Sequence, residues 1–229
     1  MNVTIDSVQR IIGTKINPRN LSLYQRAFTH KSALKEHPHL SSSYETLEFI
    51  GDSVLGFVIT RWLFDKYEQR QEGFLTKART KLVRGETLAG IARKLGLQHH
   101  ILMDSKGLAN GWVNNDKILE DCFEALVGAI YQDIGLLHAK AFILNIFEDA
   151  RYVDMKTLLV DDNFKDYCMR FCQKLGYELP DYRMMSHEDG MFTVDVWING
   201  AFGGRGSAKT KKGAEQLAAR DFFSRYSAT

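Results

Sequence analysis

The 229-residue chain has few cysteines, and their arrangement argues against a disulfide framework. Cys122, Cys168 and Cys172 are an odd set that forms no CxxC pair. None of them has a histidine neighbour at the spacing of a zinc finger. We therefore predict three buried thiols.

The sequence also lacks long apolar runs and a secretion signal. Apolar stretches such as residues 57–62 are short and broken by charge, whereas a membrane span needs roughly 18–20 apolar residues. The first six residues show no charged region followed by an apolar one. No GxxxxGK[ST] loop is present to cradle a nucleotide. We expect a cytoplasmic protein with no membrane partner and no nucleotide cofactor.

An excess of charge of either sign is absent as well. The 30 basic and 28 acidic side chains leave a net charge of +2, so any basic surface must come from local clustering. Hydrophobic residues make up 45% of the chain, which supports a real core and excludes a disordered chain.

Helical periodicity dominates from residue 21 to about residue 151. Apolar side chains return every three or four positions within residues 47–58, 82–95 and 118–129. We predict an all-α domain over residues 1–152.

The pattern changes after residue 151. A helical segment over residues 163–175 stops at Gly176. Residues 191–198 alternate between apolar and polar, as in a half-buried strand. Asn199 and Gly200 follow at once and predict a tight hairpin turn, because both turn positions need a positive φ.

A further strand is expected at residues 201–203, and a last helix from Thr210, which can cap it, to Phe223. The predicted order of elements is helix, strands, helix. We predict a small α+β domain over residues 161–229, joined to the first domain by a linker at residues 153–160.

Two predicted helices carry carboxylates on one face among apolar residues. Glu45, Glu48 and Asp52 recur at i, i+3 and i+7, and Asp121 and Glu124 at i, i+3. Like charges there repel, and a hard divalent cation such as Mg²⁺ would relieve the repulsion. A solvated acidic face is the alternative for the first segment alone. Two such helices sharing one site favour metal-assisted chemistry at an anionic centre such as a phosphodiester.

These acidic segments resemble the ribonuclease III family. Residues 45–55 resemble its signature segment, and residues 206–219 resemble a double-stranded-RNA-binding domain. The second resemblance implies the order α-β-β-β-α for the second domain. The resemblance also covers, in the family's order, residues 26–32, 72–76, 82–86 and 121–128.

The resemblance implies that Glu48, Asp52, Asp121 and Glu124 are the catalytic residues and hold Mg²⁺, or Mn²⁺ in its place. It implies a homodimer through the endonuclease domain that cuts both strands of duplex RNA. The ends left are a 5′-phosphate and a 3′-hydroxyl with a two-nucleotide 3′ overhang. Phe49 would then face the partner, with burial in the core as the alternative.

Glu45 and Glu72 match two further acids of the family's catalytic valley, where support or RNA positioning is implied. The chain departs from the family at Tyr44 and Thr46, where Asn and Arg are usual, so a polar contact near the valley is altered. Lys117 stands one turn before the second acid pair. It could contact phosphate, but a plain i, i+4 salt bridge is favoured.

A basic cluster lies at the start of the last helix, at Lys209, Lys211 and Lys212. Residues 203–229 carry six basic and two acidic side chains, a local charge of +4. This cluster suits the phosphates of duplex RNA.

The second domain lacks several of the residues that usually contact the RNA minor groove in such domains. Met169 and Arg170 stand where such domains usually offer Gln and Glu. The loop between the first two strands is shorter than usual and leaves only residues 186–190, with His187 as a candidate contact. We predict weak, steeply salt-dependent binding dominated by phosphate contacts.

The leading hypothesis is therefore a Mg²⁺-dependent endoribonuclease specific for double-stranded RNA. The alternative is a protein of the same architecture that has lost catalysis and only binds or sequesters duplex RNA. The presence of all four acids favours the enzyme.

Overall fold

The computed structural model describes residues 3–155 and 163–226. Contacts divide the chain into two compact units, Met1–Leu159 and Val160–Thr229. Val153, placed in the predicted linker, is buried in the core of the first unit, and residues 156–160 of that linker lie outside the described residues. No helix in the described part is both long and apolar enough to cross a membrane.

The first unit is helical, as predicted. Short 3₁₀ turns at Pro18–Asn20, Lys31–Lys35, Leu97–His99 and Trp112–Asn114 connect its α-helices. The α-helices are α1 (Ile5–Ile12), α2 (Leu21–Ala27), α3 (Glu45–Lys66), α4 (Glu72–Leu82), α5 (Gly85–Lys94), α6 (Ser105–Ala109), α7 (Asp116–Ile134) and α8 (Leu136–Phe147).

Helix α7 forms the centre of this unit. It starts at Asn115, whose side-chain oxygen accepts a hydrogen bond from the backbone N–H of Lys117 at 2.9 Å, and it ends at Gly135. Every residue from 121 to 130 is buried, because α2, α3, α5 and α8 all pack around it. An acid on this helix is therefore carried into the interior.

Two glycines set how closely α3 and α7 approach each other. A methyl group at Gly51 would lie 1.8 Å from the backbone oxygen of Glu124, and one at Gly128 would lie 2.1 Å from the backbone oxygen of Leu47. Both distances are far below van der Waals contact, so no larger residue fits without moving a helix.

Helix α1 was not predicted from the sequence. Thr4 and Ser7 form a capping box in which each side-chain oxygen accepts the other's backbone N–H, at 2.9 and 3.2 Å. Gly13 ends the helix at a φ of 72°, and Val8 and Ile12 are buried in the core. The capping pair and the glycine are the signals that could have identified it.

The second unit has the predicted α-β-β-β-α order. Its strands form an antiparallel sheet in the order β1-β2-β3. Its elements are α9 (Phe164–Leu175), β1 (Asp181–Glu188), β2 (Met191–Ile198), β3 (Ala201–Ala208) and α10 (Lys211–Tyr226). The two helices share a small core with the sheet that includes Cys168 and Cys172. All three cysteines are free and buried, as predicted.

The turn chemistry of the second unit follows the sequence closely. Asn199 and Gly200 have φ values of 49° and 75°, which confirms the predicted hairpin. The Thr210 hydroxyl accepts the backbone N–H of Gly213 at 3.1 Å, which confirms the predicted cap of α10. Strand β3 and helix α10 both run further than expected, to Ala208 and Tyr226.

The predicted loop over residues 186–190 is wrong. Residues 186–188 continue β1, where His187 pairs with Phe192 of β2. Only Asp189 and Gly190 form the turn, with φ values of 49° and 71°. A two-residue turn with positive φ values suits the twist of paired strands. The pairing of β1 with β2 therefore continues to the residues next to the turn and leaves no loop.

We predict that Gly128→Ala lowers the free energy of unfolding by about 3 kcal/mol, because the added methyl group forces α3 and α7 apart. Gly90→Ala on α5 is the matched control, since no atom lies within 4 Å of the added methyl. That variant should gain about 0.5–1 kcal/mol. Urea unfolding followed by circular dichroism measures both, and equal stability of Gly128→Ala and the wild type would contradict the packing account.

Candidate active site

Three carboxylates meet where α3 and α7 cross. Glu48, Asp121 and Glu124 each offer one oxygen, and these oxygens lie within 4.8 Å of one another. Asp121 and Glu124 are buried and Glu48 is half-buried. The predicted convergence of acids from two helices is therefore present for these three residues.

The environment disfavours the charged forms of these acids. Burial, and then the nearby charge of Asp52, raise the pKa of Glu124 to about 8. Burial, and then the charge of Asp121, raise the pKa of Glu48. At neutral pH the site therefore favours protonation of Glu124, and a bound cation would reverse that preference by stabilising the carboxylate.

An all-oxygen donor set of this kind fits a hard divalent cation. Mg²⁺ is usually held by one or two carboxylates and keeps several waters, so Glu48, Asp121 and Glu124 provide enough ligands. Like charges this close are costly to bury without a compensating charge. The chemistry of the donors therefore agrees with the metal site expected from the sequence.

Asp52, the fourth predicted metal ligand, has a different setting. It lies one turn after Glu48 on α3 but is exposed, and it is not part of the group of three close oxygens. Its charge is near enough to affect the pKa of Glu124. Its role in holding the metal stays a prediction.

Asp121 is contacted on both of its oxygens. The ammonium group of Lys117 lies 2.8 Å from Oδ1, and the hydroxyl of Tyr44 donates to Oδ2 at 3.4 Å. Lys117 also lies 3.4 Å from the carboxylate of Glu120. The favoured i, i+4 salt bridge of Lys117 is therefore present, whereas the tyrosine contact was not foreseen.

The other two predicted acids lie outside the cluster of three. Glu45 is exposed at the start of α3, where the Ser43 hydroxyl donates to it at 3.1 Å and Lys31 lies 3.3 Å away. These two partners lower the pKa of Glu45. Glu72 is exposed in the first turn of α4 and accepts a hydrogen bond from Thr76 at 2.7 Å.

A pocket of about 360 Å³ opens beside the acids. Two lysines and three aromatic rings share its wall with the carboxylates. It is lined by His30, Lys31, Tyr44, Glu45, Glu48, Trp112, Asn115, Lys117, Ile118 and Asp121. Sequence reasoning did not assign a role to Trp112 or Asn115, because only the tertiary fold brings the turn before α7 beside α3.

An apolar stripe follows the solvent side of α3. Phe49, Phe57 and Phe64 are 77%, 60% and 58% exposed. Their spacing of eight and seven residues puts them on one side of the helix. The alternative that Phe49 belongs to the core is therefore wrong.

The predicted basic cluster is present in the second unit. Lys209, Lys211 and Lys212 are exposed around the N-terminus of α10, where the helix dipole also favours phosphate. Within the described residues, none of the three takes part in an ion pair. By contrast, Arg205 holds the buried carboxylate of Asp195 through two contacts at 2.6 and 2.8 Å.

The remaining candidate RNA contact is His187, while Met169 and Arg170 are the two residues at which the first helix departs from the usual minor-groove contacts. The ring of His187 stacks on Phe192 with centroids 4.0 Å apart, at the edge of the sheet rather than in a loop. On α9, Arg170 pairs with Asp166 at 3.0 Å, and Met169 is exposed.

Each of the two units matches a known protein family. The Ribonuclease-III-like family profile matches residues 20–150, and the double-stranded RNA binding motif profile matches residues 167–226. Protein A464R of Paramecium bursaria Chlorella virus 1 is 40% identical over 220 residues, which cover 95% of this chain and 77% of that protein. Ribonuclease 3 of Chlorobium luteolum is 36% identical over 208 residues, which cover 88% of this chain and 75% of that protein.

Among solved structures, the nuclease domain of ribonuclease III from Campylobacter jejuni matches with a TM-score of 0.58 and 36% identity. The match covers 63% of this chain and 96% of that one, and that structure is described as showing flexibility in a region involved in dimer formation. From the two profiles, these relatives and the helical fold, we conclude that the chain belongs to the ribonuclease III family and is an endoribonuclease with a double-stranded-RNA-binding domain.

Proposed function

We propose that this chain hydrolyses phosphodiester bonds of double-stranded RNA with Mg²⁺, for which Mn²⁺ can substitute. The products would carry 5′-phosphate and 3′-hydroxyl ends with two-nucleotide 3′ overhangs. The observation that carries the proposal is the convergence of Glu48, Asp121 and Glu124 within 4.8 Å in a member of this family.

The acids of the site would have distinct tasks in this reaction. Glu48, Asp121 and Glu124 would hold the cation, and Asp52 would serve as a fourth ligand from the next turn of α3. A bound Mg²⁺ supplies a more acidic water and neutralises charge that develops on the phosphate. The raised pKa of Glu124 means that this residue would release a proton as the site fills.

Around the cluster, other groups of the same wall would position the substrate. Lys31 pairs with exposed Glu45, and both border the pocket beside the acids. We assign Glu45 and Glu72 to support of the site or to RNA positioning. Phosphate contacts by the lysines at the start of α10 would add affinity that falls with salt.

We further propose that the active enzyme is a homodimer formed through the first unit. The exposed phenylalanine stripe on α3 supports this proposal, because several large apolar side chains exposed on one side of a helix are typical of an interaction site. Each protomer would cut one strand of the duplex. The three free, buried cysteines suit the reducing cytoplasm, where we expect the protein to act.

Glu124→Gln is the direct test of the proposed chemistry. It removes one anionic ligand but keeps the shape of the side chain, so we expect cleavage to fall by about 1,000-fold or more. The substrate is labelled duplex RNA of about 30 base pairs, longer than the roughly 16 that a double-stranded-RNA-binding domain spans. Assays contain Mg²⁺, Ca²⁺ or EDTA, and a gel shift checks that binding is retained.

Glu68→Gln, an exposed acid beyond the end of α3, is the matched control and should cleave like the wild type. Products with two-nucleotide 3′ overhangs that form with Mg²⁺ but not with Ca²⁺ or EDTA would support the proposal. Full activity of Glu124→Gln would contradict the metal site, and binding without cleavage by the wild type in any metal would favour the RNA-sequestering alternative.

Phe57→Asp should convert the protein to monomers, because a charge in the apolar stripe would have to be buried unpaired at the interface. Light scattering coupled to gel filtration should give twice the 26.1 kDa chain mass for the wild type and the chain mass for the variant. Leu137→Asp, which replaces a side chain that is 80% exposed on α8, is the control and should leave the mass unchanged. A monomeric wild type would rule out this interface.

The double variant Lys211→Ala, Lys212→Ala should weaken binding equally for duplex RNAs of different sequence. Each lost phosphate contact should lower the slope of log affinity against log salt by about 1. Filter binding in the cleavage-deficient Glu124→Gln background measures this, with Lys174→Ala at the end of α9 as the control. An unchanged salt slope would show that α10 does not contact phosphate.

A further inference from the structure

Tyr44 is a buried aromatic residue whose polar end meets the carboxylate cluster. Its side chain is 3% exposed, and its hydroxyl donates to Oδ2 of Asp121 at 3.4 Å. A tyrosine hydroxyl is protonated at neutral pH, so it faces the carboxylate as a donor.

The backbone around Tyr44 is anchored by several hydrogen bonds. Its N–H donates to the backbone oxygen of Thr29 at 2.9 Å, and its ring contacts that of His30 with centroids 5.8 Å apart. On either side, the guanidinium of Arg26 donates to the backbone oxygen of Ser43 at 3.0 Å and to the Thr46 hydroxyl. The position of the Tyr44 hydroxyl is thus fixed by the residues that join α2 to α3.

Asp121 is the member of the cluster that this hydroxyl can orient. The ammonium group of Lys117 lies beside Oδ1, and the hydroxyl of Tyr44 is the hydrogen-bond donor to Oδ2. Lys117 is a flexible and largely exposed side chain, whereas Tyr44 is buried and fixed. A metal ligand that is held by a second hydrogen-bonding group has less freedom to lose on binding.

We propose that Tyr44 is a positioning residue that holds the Asp121 carboxylate in the orientation that receives the divalent cation. This inference rests on the proposed function, since it assigns Asp121 to the metal site.

The test compares Tyr44→Phe with Tyr24→Phe in the full-length protein. Both changes remove one hydroxyl from a buried tyrosine that donates to an aspartate, since Tyr24 donates to Asp133 at 2.8 Å away from the cluster. Calorimetric titration with Mn²⁺ alone measures metal binding without RNA. We expect about 10-fold weaker Mn²⁺ binding for Tyr44→Phe and wild-type binding for Tyr24→Phe.

Cleavage assays add a second readout. Raising Mg²⁺ should restore much of the lost activity of Tyr44→Phe, while the KM for RNA stays unchanged. Thermal unfolding of both variants, with titration well below the lower midpoint, separates loss of binding from loss of folding.

The outcomes distinguish the two proposals. Wild-type Mn²⁺ affinity in Tyr44→Phe, or an equal loss in Tyr24→Phe, would overturn the positioning role alone. A wild-type chain that binds no Mn²⁺ would overturn the proposed metal site and this inference with it.

Discussion

The close contact between α3 and α7 is the constraint on which the candidate site depends. At Gly51 of α3 a backbone oxygen of α7 occupies the space that a side chain would need, and at Gly128 of α7 a backbone oxygen of α3 does the same. Glu48 precedes the first glycine by three residues, and Glu124 precedes the second by four. The same contact that packs the core therefore brings carboxylates of two helices within reach of one cation.

This arrangement gives the site its electrostatic character. Glu48 lies in the first turn of α3, where the helix dipole stabilises negative charge, but Asp121 and Glu124 lie in the middle of a buried helix. Lys117 offsets part of their charge, but burial, and then the charge of Asp52, still raise the pKa of Glu124. A divalent cation is the natural completion of such a site.

Much of this could be predicted from local pattern. The spacing of acids in apolar helices pointed to five carboxylates, of which Glu48, Asp121 and Glu124 cluster in the structure. Turn chemistry identified the hairpin at Asn199 and the cap at Thr210. The contact of Tyr44 with Asp121 joins residues 77 positions apart, so no local pattern could reveal it. The loop predicted at His187 was wrong because turn length, which sets strand pairing, was judged from the family rather than from Asp189 and Gly190.

The measurement that tests the central claim most directly is an anomalous difference map from crystals soaked in Mn²⁺. The account predicts a peak between α3 and α7 with oxygens of Glu48, Asp121 and Glu124 at about 2.1 Å, the distance expected for a small hard cation. The peak should vanish in Glu124→Gln crystals. A peak elsewhere in the chain, or none at these three carboxylates at saturating Mn²⁺, would contradict the account.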